Sequence, residues 1–112
     1  MAFTDIDTAD LAQRMLSGAA TEAGEGWAEV SAFFKVEFRT IARRIKDIGK
    51  AVAGGDIDEL TAKLLMRMQV NNAVAAVAAM TTMVMVRIER IINAALGLVR
   101  DVVNTALGFA LL

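Results

Sequence analysis

Apolar residues recur along this chain at spacings of three and four, the rhythm of one side of an α-helix. The clearest run is Trp27, Val30, Phe34, Phe38, Ile41, Ile45, Ile48 and Val52. Between them stand Glu29, Lys35, Glu37, Arg39, Arg43, Arg44, Lys46, Asp47 and Lys50. This pattern predicts an amphipathic helix of about seven turns over 24–53, closed by Gly54-Gly55. Residues 1–23 predict a short helix with a linker. Asp5 or Thr8 would cap it, Leu11, Met15 and Leu16 would give its apolar face, and Ser17-Gly18 and Gly24-Glu25-Gly26 punctuate the rest. From 56 to 112 there is no Pro and only Gly97 and Gly108. With Asp56 as cap and Asp58 and Glu59 in the first turn, this stretch predicts one very long apolar helix of about 80 Å. The expected fold is therefore all-α, in a single domain. A short N-terminal helix precedes an antiparallel hairpin, in which Trp27, Val30, Phe34, Phe38, Ile41, Ile45 and Ile48 pack on Leu60 and Leu64.

The second half of the long segment repeats. Ile92-Asn93-Ala94-Ala95-Leu96-Gly97 matches Val103-Asn104-Thr105-Ala106-Leu107-Gly108 eleven positions on, with weaker echoes at Asn71 and Thr82. An eleven-residue period is about 3.67 residues per turn and suits nearly straight helix packing. Asn71, Thr82, Asn93, Gly97, Asn104 and Gly108 would then form a stripe of small and polar residues facing neighbouring copies. Glu89 and Arg90 precede Arg100 and Asp101 by the same eleven, so copies staggered by that step would pair opposite charges; equally, the four keep one face wet.

Composition sharpens this reading. Of 112 residues, 56% are hydrophobic, and there is no Pro, Cys, His or Tyr. A soluble domain has about 45–50% apolar residues, so the excess calls for an oligomer interface, a partner or a bilayer. The N-terminus lacks the basic start and apolar run of a signal peptide. Val70 to Val86 is uncharged but interrupted by Asn71, Asn72, Thr81 and Thr82, and the stretch from Ile91 to Leu112 carries Arg100 and Asp101 near its middle. A charge at the bilayer centre costs about 2.5–3.5 kcal/mol, so burial in protein is favoured over a membrane span.

Without His or Cys, the commonest bases, nucleophiles and transition-metal ligands are missing. The acids of 5–10 and 56–59 sit at predicted helix starts, where they are expected. The residue set points to no catalytic site, no metal and no cofactor. The net charge of −1 gives no sign of general nucleic-acid binding. Lys35, Arg39, Arg43, Lys46 and Lys50 do line up on one side of the second helix. They form either a candidate ridge for an anionic partner or a solvated face supported by Glu37 and Asp47.

The order of amphipathic helix, tight turn and acidic-capped apolar helix, Asp56-Ile57-Asp58-Glu59-Leu60 through Leu64-Leu65-Met66-Arg67-Met68-Gln69, resembles the C-terminal hairpin of type III secretion inner-rod and needle subunits. The likeness covers about residues 27–92. It departs from that pattern in lacking a Pro-Asn or Pro-Asp turn and in the length and apolar load of the last segment. The resemblance implies a small helical subunit that polymerises into a tube. The leading expectation is a non-enzymatic structural subunit, in a secretion apparatus, virion or comparable assembly, whose partners are first copies of itself and then other assembly subunits or membrane lipid. Two alternatives stay open: a membrane-active protein that inserts its C-terminal helix, such as a phage ejection or lysis component or a pore former, and a soluble helical adaptor.

Overall fold

The computed structural model describes residues 6–112, and its regular elements are four helices: α1 (Thr8–Ala23), α2 (Trp27–Ala53), α3 (Glu59–Met80) and α4 (Met85–Leu107). Asp5, one of two expected caps for α1, lies outside the described residues. The cap is Asp7, whose carboxylate accepts from the backbone N–H groups of Ala9 at 3.0 Å and Asp10 at 3.2 Å. Ser17-Gly18 does not interrupt α1, because Gly18 is a packing residue. A Cβ there would stand 2.5 Å from Leu98 Cδ1 of α4.

The α2 helix matches its apolar stripe. Val30, Phe34, Phe38, Ile41, Ile45 and Ile48 are buried, and Trp27 packs on the cluster's edge, 5.5 Å from Phe34 between ring centroids. Gly55 ends the helix at φ +77°. Its N–H donates to Val52 O and that of Asp56 to Ala51 O, the paired bonds of a Schellman motif. Asp56 therefore belongs to the stop of α2, and Asp58 is the cap of α3, accepting from Thr61 N–H at 2.7 Å.

The single long helix expected over 56–112 is two helices. The break falls at Thr81–Val84, inside the uncharged stretch and without Gly or Pro. Thr81 leaves the helical region at φ −133°. Its hydroxyl donates to Val77 O at 2.8 Å and accepts from Met83 N–H at 3.3 Å. A threonine that bonds back to the preceding turn offers the backbone an alternative to the helix, and a second β-branched residue, Thr82, follows it.

Breaking there lets α4 fold back. The chain runs up, down, up, down through a four-helix bundle about 42 × 22 × 17 Å. The α1 helix lies between α2 and α4, and α3 closes the ring. The α3–α4 seam is the most sparsely packed. Arg87, in the first turn of α4, donates to Ala23 O at the end of α1 over 2.7 Å, joining a cation to the negative end of a helix. Met15, Phe34, Phe38, Ile41, Ile45, Val77, Ile88, Ile92 and Val99 are completely enclosed, and no polar or charged side chain among the described residues is buried.

Candidate interaction surface

The bundle distributes the expected interface residues over different surfaces. Asn71 is on α3, Thr82 in the turn, and Asn93 and Asn104 on α4, so the eleven-residue stripe does not run along one rod. Asn104 works within the chain. Its Oδ1 accepts from the N–H groups of Leu111 at 2.9 Å and Leu112 at 3.1 Å, and its Nδ2 donates to Leu112 O at 3.4 Å. Gly108 ends α4 at φ +82°, a conformation that favours glycine. Gly97 faces open space. Glu89, Arg90, Arg100 and Asp101 are all exposed, and among the described residues the one ion pair is Arg14–Asp10 at 2.8 Å.

Leu60 and Leu64, expected in the core, are on the outside, 67% and 50% exposed. The helix meets the core through Ala62, Met66, Ala73, Val74 and Val77 instead. Small alanines bring α3 in on that side and leave the leucines outward. Met68, one turn beyond Leu64, is 60% exposed. Following the helical rotation, the side of α3 facing away from the core reads Leu60, Thr61, Leu64, Met68, Asn71, Asn72, Ala75 and Ala79. It carries no charge over about 28 Å; Lys63 and Arg67 sit to its α4 side. The apolar surface leads into the α3–α4 turn, where Met80, Val84, Met85 and Val86 are each more than half exposed, as is Val36 of α2. By contrast, the outer side of α4 holds Arg90 and Asp101.

Beside Met80 a small cleft of about 190 Å³ is lined by Phe33, Val36, Glu37, Ala76 and Val77. Partial burial against these apolar groups pushes the Glu37 carboxyl above the usual range. At the start of α3, the backbone bond from Thr61 holds Asp58 below it.

The basic ridge runs along the α1 side of α2. Lys35, Arg39 and Arg43 line a shallow cleft of about 270 Å³ with Thr8, Gln13 and Leu16. Lys50 is exposed, while Lys46 is half-buried. Among the described residues no group of three or more Asp, Glu, His or Cys is placed to hold a metal ion, and no helix is long and apolar enough to cross a membrane. The chain matches no family model, no curated protein and no solved structure.

Proposed function

We propose that this chain is a non-enzymatic structural subunit that assembles with copies of itself through the outer face of α3 and the adjoining turn. The observation that carries the reading is the uncharged outer side of α3, with Leu60, Leu64 and Met68 each at least half exposed. Surface helices of soluble monomers present charge to water, and contiguous apolar patches beyond a few hundred Å² mark contact sites. Seven large side chains, Leu60, Leu64 and Met68 on this face and Met80, Val84, Met85 and Val86 around the turn, stand 50–67% exposed. At roughly 100 Å² each they total about 700 Å², close to one side of a standard protein interface.

A second copy suits this surface because it is apolar without being charged: like faces meet without repulsion, and Asn71 and Asn72 can bond across the contact. The α2–α3 hairpin carries the face, and the resemblance of its sequence pattern to rod and needle subunits is in keeping with this reading. A repeating stack of copies is therefore the form of assembly we favour. Sedimentation velocity of the purified chain over a concentration series tests the reading. Discrete species heavier than the 12.0 kDa chain, unchanged by mild detergent, are expected. A single monomer at high micromolar concentration overturns it.

A further inference from the structure

The α3–α4 seam holds a groove of about 350 Å³ beside the C-terminal segment, within the size range of small-molecule sites. Lys63 and Arg67, one turn apart on α3, and Arg100 on α4 line it, and all three are exposed. Beneath them lie buried Met66, Leu96 and Leu111. None of the three cations is ion-paired among the described residues, where Arg14–Asp10 is the one pair. A second depression, of about 360 Å³, follows along the same seam. It shares Val70 and Asn93 with the first and is lined further on by Asn71, Val74, Met85 and Glu89. The two make one groove, cationic over an apolar floor at one end, lined by valines and asparagines in the middle and by Glu89 at the other. Glu89 and Arg100 are separated by about 16 Å of helix.

We infer that this groove binds an anionic amphiphile, a phosphate or carboxylate head on an acyl tail. Lys63, Arg67 and Arg100 hold the head by charge-assisted hydrogen bonds, and the tail lies along Val70 and Val74. Glu89 repels the head from the far end, so the ligand enters in one orientation. A small inorganic anion would use the cations but leave the apolar floor wet. A neutral apolar ligand would leave three cations without a partner. The sparse packing of the seam gives an acyl chain room to enter without opening the core.

The test is calorimetric titration of the full chain with dodecyl phosphate below its micelle concentration, with neutral decyl maltoside beside it. Sedimentation with phosphatidylglycerol vesicles forms a second arm. The charge-reversed variant Lys63→Glu/Arg67→Glu/Arg100→Glu is compared with Lys35→Glu/Arg39→Glu/Arg43→Glu, an equal charge change on the basic ridge. The inference expects the groove variant to lose about tenfold or more in affinity, the ridge variant to bind as the parent, and the neutral amphiphile to bind at least as weakly as the groove variant. Binding to monomeric dodecyl phosphate assigns a free amphiphile. Binding to vesicles alone, lost only in the groove variant, assigns a headgroup presented by a bilayer. If the groove variant unfolds, chemical-shift mapping on the parent chain decides, with perturbations expected at Val70, Asn93 and Arg100. Equal losses in both variants, equal affinity for the neutral amphiphile, or shifts elsewhere overturn the inference.

Discussion

Gly18 and Leu98 make a sharp test of how α1 meets α4. A Cβ at Gly18 would stand 2.5 Å from Leu98 Cδ1 and 3.2 Å from its Cγ, but 3.4 Å from the Ala95 Cα, an ordinary contact. In Gly18→Ala the obstacle is therefore one flexible side chain, and Leu98, 58% exposed, can swing outward. Doing so gives up less than half of a leucine's burial, about 1 kcal/mol, and an off-rotamer pose adds about 0.5–1.5 kcal/mol. Against this, alanine gains about 0.5–1 kcal/mol over glycine inside a helix. Gly18→Ala alone should destabilise by about 0.5–2 kcal/mol. In a Leu98→Ala background the obstacle is gone, and the same change should stabilise by about 0.5–1 kcal/mol. Urea unfolding of the four proteins in this cycle reads a coupling of about 1.5–2.5 kcal/mol. If Gly18→Ala has the same effect in both backgrounds within about 0.5 kcal/mol, α1 and α4 do not meet at this point and the helix order of the bundle is wrong.

Other perturbations address separate parts of the account. Phe38, fully enclosed and 5.7 Å from the Phe34 ring centroid, should cost about 3–5 kcal/mol when replaced by alanine, read as a lower urea midpoint. Arg87→Ala removes the bond to Ala23 O and should cost about 1–2 kcal/mol, with faster amide exchange at the end of α1. Glu37 titrates above its unfolded value because burial disfavours its charge. Folding therefore takes up a proton between the two values, and the stability this group contributes falls as pH rises through that window. Glu37→Gln should raise Tm at neutral pH and leave it unchanged below the ordinary carboxylate range. Asp58 runs the other way, since its carboxyl is held low by Thr61. The support it gives α3 is lost as pH falls through the folded value, and Asp58→Asn should blunt the acid sensitivity of α3 helicity.

The all-α class and the whole of α2 were readable because Trp27 to Val52 obeys one period and Gly54-Gly55 punctuates its end. The break in the long segment was not. Its signal is a Thr-Thr pair whose hydroxyl bonds backward, and Thr in a helix more often stays helical. Once the chain reverses there, a repeat at matched spacings in Asn71, Thr82, Asn93 and Asn104 no longer shares a face. Periodicity also misplaced Leu60 and Leu64. In an α3 rich in apolar residues on every side, spacing cannot tell which side turns inward, and here the small Ala62 and Ala73 do. The cationic end of the α3–α4 groove joins Lys63 and Arg67 to Arg100 across the fold, a proximity that only the reversal creates.

The most direct test of the central claim compares two charge variants by sedimentation velocity: Leu64→Glu/Met68→Glu on the outer side of α3, and Arg90→Glu/Asp101→Lys on that of α4. All four positions are exposed, so both variants should keep the parent's helicity. The account predicts that the α3 variant sediments as the 12.0 kDa monomer while the parent and the α4 variant remain assembled. An α3 variant that assembles like the parent, or an α4 variant that alone falls apart, would contradict it.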